Sequence, residues 1–436
     1  MTITRRPRGV AVSAIPRFGL ATGLFAATAT WSCEPAPRFD LAIENARIFT
    51  ATGSVLEDAD VGIEEDRISV IATDGSPVPA RETIDASGMT LLPGLIDAHV
   101  HLLIKWPLEL GSDEALAAHV EEGVIPRLRE YLNHGVTTVF STGDFWPAIR
   151  DLRDDVAAGH IPGPRILTAG PVFAAPDGHP SGTVCPPEDA WCRSRLSVEV
   201  ATVGQAREAV LRVASEGPDA IKAILGGLLG PPMEPEVFSA VVDAAHEAGL
   251  RAYVHPDASS DTWHAVHAGV DGLVHLPALR EVPDSVIALL VERGLTVTTT
   301  LGASAPVVDD QGIKRHPMAG FWSDEFEARA TAHKASVRAL ADAGVPLVLG
   351  TDMPVSGPWE AIAREIALLS DAGLTNEQIL VAATRNAAVH LGLGTEIGTV
   401  EAGKIADLVL VRGDPLEELS ALSEVELVIQ GGVVRR

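Results

Sequence analysis

Apolar and polar residues alternate in short pieces from Leu41 onward: Leu41-Ala42-Ile43, Ala46-Arg47-Ile48-Phe49, Ala59-Asp60-Val61-Gly62-Ile63 and Arg67-Ile68-Ser69-Val70-Ile71. Turn residues separate them, a pattern that predicts half-buried strands. It returns only near the end, in Asp407-Leu408-Val409-Leu410-Val411 and Leu427-Val428-Ile429-Gln430-Gly431-Gly432-Val433. Two β-rich ends around a different middle predict one small sheet module built from both termini, residues 39–90 and 395–436. Residues 91–394 repeat another unit, in which a helix-like stretch closes on glycine and an apolar strand follows at once. Examples are His134-Gly135-Val136, Ala248-Gly249-Leu250, Ala268-Gly269-Val270, Arg293-Gly294-Leu295 and Ala343-Gly344-Val345. Glycine just past a helix accepts the left-handed conformation that turns the chain back. Strand candidates lie near Leu95–His101, Val136–Ser141, Arg165–Ala169, Ala220–Leu225, Leu250–His255, Asp271–His275, Leu295–Leu301 and Val345–Asp352. Eight strands alternating with amphipathic helices predict an α/β fold, a closed (β/α)8 barrel of TIM type.

Residues 1–38 follow neither rhythm. Arg5, Arg6, Arg8 and Arg17 precede an apolar run from Leu20 to Ala29, which ends at Thr30-Trp31-Ser32-Cys33. A basic stretch, a short apolar stretch and small residues have the layout of an export signal, and the run is too short to span a bilayer. Cys33 after Ser32 resembles a lipoprotein cleavage box, although that box normally carries an aliphatic residue where Thr30 stands. The expectation is a bacterial protein exported to the periplasm or anchored there through a lipid on Cys33. Cys185 and Cys192 would then meet an oxidising compartment, as a disulfide or as two free thiols.

Charge narrows the partners. Over 436 residues, 59 acidic against 33 basic side chains give a formal net charge of −26, which phosphate backbones would repel, so nucleic acid is excluded. Hydrophobic residues make up 46%, which excludes a disordered chain. Only five lysines occur (Lys105, Lys222, Lys314, Lys334 and Lys404), so Lys222 inside the apolar run Ala220-Ile221-Lys222-Ala223-Ile224-Leu225 needs a reason.

Chemistry-bearing residues gather at the expected strand ends, where such barrels keep their active sites. His99-Val100-His101 sets two imidazoles on one strand face, a donor pair suited to a first-row metal. Asp97 shares that face and either hydrogen-bonds beneath the site or orients the strand. His255 and His275 each close an apolar strand, and Asp352 follows Val348-Leu349-Gly350-Thr351, as a ligand or a helix cap. Lys222 either snorkels or, with its pKa lowered by burial, offers a neutral amine to carbon dioxide. The resulting carbamate could bridge two metal ions.

Leu92-Pro93-Gly94-Leu95-Ile96-Asp97-Ala98-His99-Val100-His101, followed in order by Lys, His, His and Asp, resembles the metal-dependent amidohydrolase superfamily. Gly398-Thr399-Val400-Glu401-Ala402-Gly403-Lys404-Ile405-Ala406-Asp407-Leu408 is similar to that family's return to its small β-sandwich, so the resemblance implies that the sheet module of the two ends is one. Gly135-Val136-Thr137-Thr138-Val139 and Ile161-Pro162-Gly163-Pro164-Arg165-Ile166-Leu167 resemble the imidazolonepropionase-related group, which includes prolidase-like dipeptidases. The resemblance implies two divalent ions, usually zinc. His99, His101 and Asp352 would hold one, and His255 and His275 the other, with carbamylated Lys222 and a hydroxide bridging them. Asp352 would act as general base and then acid, with His275 and Lys222 completing the catalytic set.

Three departures from the family pattern fall near the expected barrel mouth: Val139-Phe140-Ser141-Thr142-Gly143-Asp144, Val274-His275-Leu276, and the loop from Pro176 to Arg195. Substrate contacts are expected from His179, Tyr253, Arg193 and Arg195; the other nine histidines are read as structural. The expected activity is hydrolysis of amide bonds in a dipeptide or N-acyl amino acid. A cyclic-amide hydrolase of imidazolone or hydantoin type, a deaminase, and a lipoprotein binding a small ligand without turnover are the alternatives. Homo-oligomer formation stays open.

Overall fold

The computed structural model describes residues 38–105, 108, 110–277, 280–308, 311–317, 323–352 and 356–436. The expected export leader, apart from Arg38, and Cys33 lie outside the described residues.

Both chain ends build one eight-stranded sheet. Its order is Val433–Val434, Val425–Gln430, Leu408–Arg412, Met89–Pro93, Phe39–Phe49, Val55–Glu64 and Arg67–Ala72, with Ala80–Asp85 also paired to Phe39–Phe49. Leu41, Ile43, Ile48, Val61, Leu408 and Leu427 pack together in its core, as the period-two pattern requires. The central join is Met89–Pro93 running antiparallel to Leu408–Arg412, with Leu91 opposite Leu410. Gly94 follows immediately. A Cβ there would stand 2.1 Å from Thr137 Oγ1, so only glycine lets this sheet run straight into the next strand.

All eight strand candidates of the middle are strands: Leu95–Val100, Val136–Ser141, Arg165–Thr168, Ala220–Ile224, Arg251–His255, Gly272–Leu273, Thr296–Thr298 and Leu347–Val348. They are parallel and alternate with helices, in an α/β arrangement. The first three form one sheet. The other five join a second, seven-stranded sheet with Val172–Ala174 and Ser197–Glu199, two short strands the sequence did not announce. Backbone bonds cross both seams: Ala98 N–H to Leu349 O (3.0 Å) and Asp352 N–H to His99 O (2.9 Å) on one side, Asp219 N–H to Thr168 O (2.8 Å) on the other.

Glycine ends helices as expected. Gly269 (φ +88°) closes Ser259–Ala268, and Gly294 (φ +61°) closes Asp284–Arg293. Ile96, Ala98, Phe140, Tyr253, Val274 and Val348, brought together from several segments of the middle, pack with Ala387 and Leu391. Among the described residues, no helix is long and apolar enough to cross a membrane.

Candidate metal centre

His99 ends a strand buried along its whole length, and the chain returns to it through Asp352 N–H. Asp352 Oδ1 lies 3.1 Å from His101 Nε2 and 3.6 Å from His99 Nε2. One ligand atom from each of the three residues falls within 4.8 Å of the others. The opposite ring nitrogens are tied down. His99 Nδ1 donates to Val274 O (2.8 Å) and His101 Nδ1 to Gly143 O (2.6 Å), because a carbonyl can only accept. A neutral ring tied in this way presents its Nε2 lone pair, and the Nε2 of His99 is buried without a hydrogen-bond partner. Two oriented imidazoles and a carboxylate form a donor set that fits a divalent metal ion. Burial alone would raise Asp352, yet His99, His101 and Lys222 around it hold its carboxyl well below the usual carboxylate range.

The second group closes the ring. The His275 ring lies 4.4 Å from that of His99, tilted to it, and 4.1 Å edge-on from that of His255, centroid to centroid. Its Nδ1 is 2.9 Å from Thr300 Oγ1, and its Nε2 is 3.9 Å from Asp352 Oδ2. Burial pushes the imidazoles of His99 and His275 well down, which favours the neutral ring that can ligate. Lys222 is 3% exposed and feels Asp352 and Asp144; burial lowers its amine to about 8. A cavity of about 350 Å³ opens over His255, His275 and Asp352.

Residues 90–435, well over half of the chain, match the sequence model of the amidohydrolase family. The chain belongs to the amidohydrolase family. An uncharacterised protein of Mycobacterium tuberculosis (strain ATCC 25618 / H37Rv) is 28% identical over 376 residues, covering 85% of this chain and 92% of its own. The imidazolonepropionase of Caldanaerobacter subterraneus subsp. tengcongensis is 25% identical over 431 residues, covering 87% and 93%. The solved structure of a prolidase complexed with N-methylphosphonate-L-proline superposes with a TM-score of 0.76 at 26% identity, covering 91% and 99%. These likenesses place the chain in the imidazolonepropionase-related, prolidase-like group, whose chemistry is metal-dependent hydrolysis of carbon–nitrogen bonds.

In this amidohydrolase the departures from the family pattern acquire roles. Asp144 accepts from Leu102 N–H (2.7 Å), Leu103 N–H (3.1 Å) and Ser141 Oγ–H (2.7 Å), stapling the turn after His101. Val274 supplies the carbonyl that orients His99, and Leu276 joins the cavity wall. Cys185 and Cys192 form a disulfide in the loop from Pro176 to Arg195. Asp97 accepts from Thr351 N–H (3.0 Å), Thr351 Oγ1–H (2.8 Å) and His99 N–H (3.2 Å), so it fastens the strand end carrying Asp352 to the one carrying His99.

The expected substrate contacts fare unevenly. His179 stands 5.7 Å from the His255 ring; burial, with His255 and Lys222 near, lowers it to about 3. Tyr253 requires a correction: it points into the interior as period two demands, but its hydroxyl donates to His390 O and its ring packs on Phe140 beneath the site. Arg193 and Arg195 need correcting too. Arg193 is paired with Asp177 (2.6 Å) and Glu199 (3.0 Å), and Arg195 with Asp113 (2.8 Å) while lying over the Trp191 ring. Neither is among the residues that line the cavity over His255, His275 and Asp352.

Four cavity residues escape a reading of the sequence: Asp257, Arg329, His316 and His333. Asp257 Oδ1 is 3.3 Å from His255 Nε2, and its position two residues after a strand-end histidine is the available signal. Phe326, Arg329 and His333 share one face of the helix Asp324–Asp342, a polar interruption of its apolar stripe.

Glu365 escapes it as well. It is fully buried on Pro358–Asp371 and accepts from Thr299 Oγ1–H (2.5 Å), Leu301 N–H (2.9 Å) and Gly302 N–H (2.7 Å). This clamp holds the turn in which Thr300, at φ +42°, reaches His275. Burial raises Glu365 to about 7. The folded state therefore keeps a proton that the unfolded chain releases near the ordinary carboxylate value, and Glu365 stabilises the fold less as pH rises from 4.5 to 7. Asp97, also raised by burial to about 7, acts in the same direction. In urea unfolding across that window, Glu365→Gln should flatten part of the decline. An unchanged slope would place the proton elsewhere.

Proposed function

We propose that this amidohydrolase cleaves the amide bond of a dipeptide or N-acyl amino acid. His99, His101 and Asp352 would hold one divalent ion and His255 and His275 a second, zinc being the family's usual metal, with Lys222 as a carbamate between them. The observation that carries the reading is Lys222, buried within the electrostatic reach of Asp352, His99, His179 and His275. Its neutral amine can add to carbon dioxide: the N–C bond forms, one N–H proton leaves, and a carboxylate results. Ions held there would lower the pKa of water and polarise the scissile carbonyl.

The protein's own groups do the rest. Asp352, kept ionised, accepts a proton from the attacking water and returns it to the leaving amine. His275, tied through Nδ1 to Thr300, keeps Nε2 facing inward. Leu228, Leu229 and Leu276 give the cavity an apolar part of its lining. Likeness to imidazolonepropionases favours a second reading, cyclic-amide hydrolysis at the same residues. Lys222 argues against the mononuclear deaminases, which lack a bridging lysine.

The same reading takes residues 91–394 as a closed (β/α)8 barrel, supported by the backbone bonds at both seams, with 39–90 and 395–436 as its sandwich. The Cys185–Cys192 disulfide supports export to an oxidising compartment. Screening the zinc-loaded full chain for amine release across dipeptides, N-acyl amino acids and cyclic amides tests the substrate class. Release from the linear amides is expected. Release from cyclic amides alone would install the second reading, and release from none would remove both.

A further inference from the structure

The cavity over the metal-site residues has an uneven wall. Leu228, Leu229 and Leu276 make part of it apolar, while the helix Asp324–Asp342 contributes Phe326, Arg329 and His333. Arg329 stands apart from the other cations of the neighbourhood. Its Nε is buried without a hydrogen-bond partner, and its guanidinium makes no ion pair among the described residues. The acidic groups it feels are Asp257 and Glu325. Asp257 is engaged elsewhere, accepting from Leu228 N–H at 2.8 Å and standing 3.3 Å from His255 Nε2. Glu325 is exposed, so water screens it. Burial lowers the Arg329 guanidinium from its usual value, so an anion arriving beside it would be welcome. A planar guanidinium lining this cavity, with no ion pair among the described residues, matches a carboxylate, which such a fork can grip with two parallel bonds.

We propose that Arg329 is the specificity-determining residue of this amidohydrolase, binding a free carboxylate of the substrate while the amide lies over His275 and Asp352. The assignment rests on the amide-hydrolase reading above and deepens it: the preferred substrates are acids, and their carboxamides are poor ones. It also supplies the cation that Arg193 and Arg195, both paired, do not.

The test compares N-acetyl-L-leucine with N-acetyl-L-leucinamide, and glycyl-L-leucine with glycyl-L-leucinamide, on zinc-loaded full-length protein. Wild type should prefer each acid by about ten- to a hundredfold in kcat/KM, the range of a charged hydrogen bond. Arg329→Met should bring that ratio near one, mainly by raising KM for the acid, and Arg329→Lys should restore part of it. Arg329→Gln carries the same comparison should the methionine variant not fold. Calorimetric binding of the four compounds gives a readout without turnover, in which acids should bind wild type about tenfold or more tightly than amides. Equal treatment of acid and carboxamide by wild type overturns the proposal, as does a variant that keeps the preference. Acid binding that depends on Arg329, with no cleavage of any compound, would overturn only the hydrolytic reading. Neither cleavage nor acid binding would overturn both.

Discussion

Asp352→Asn is expected to lower kcat by about a thousandfold or more, the upper part of the range for losing a general acid–base group. Asparagine is the informative replacement. It keeps the shape, the backbone bond from position 352 to His99 O, and a residue type that tolerates the φ of +49° found there. What disappears is the negative charge between His99 and His101 and the atom that takes a proton from water. The carboxyl is held low by those imidazoles and Lys222, so it is ionised at any working pH and its removal costs the same from pH 5 to 9. Measuring kcat and bound metal on the same samples separates the two losses. A variant with full metal content and more than about a tenth of the activity would remove Asp352 from the proton path.

Lys222→Ala should lose bound metal and an equally large share of activity, while folding as well as wild type or better. The sign of the stability effect follows from burial: an amine 3% exposed destabilises the fold unless something compensates it. With its pKa lowered by burial to about 8, Lys222 has a far larger neutral fraction near pH 7.5 than an ordinary lysine. Carbamate formation is favoured accordingly as pH rises towards 8. Reconstituting metal-free protein with zinc should therefore be slow in carbon dioxide-free buffer and fast with added bicarbonate. Wild type equilibrated with carbon-13 bicarbonate should show a carbamate resonance that the variant lacks. Full metal content and activity in Lys222→Ala would end the bridging role outright.

Much of this site is legible in the order of its residues. Side-chain alternation in His99-Val100-His101 puts two imidazoles on one face, and the eight apolar segments place Lys222, His255, His275 and Asp352 at strand ends. The supports are harder to read. Asp97, Asp144 and Glu365 hold Thr351, the turn after His101, and the turn after Thr298, through bonds to partners as far as 254 residues away. Local spacing carries no information about a partner that arrives from another strand. Tyr253 shows the limit from the other side. Period two assigns its face correctly, but the height of a side chain inside the strands depends on what fills the layer below, here Phe140 and the His390 carbonyl.

The division is sharpest among the charges. The sequence alone determined the donor types, their order, their strand-end positions and the family they imply, because those follow from local periodicity and a contiguous motif. Which cations remain free was decided only by the tertiary structure. Asp177, Glu199 and Asp113 pair with Arg193 and Arg195, while the helix Asp324–Asp342 brings Arg329 beside a cavity whose floor comes from residues 255, 275 and 352. An ion pair depends on distances of a few ångströms between segments far apart in the chain, and only the packed fold sets those distances.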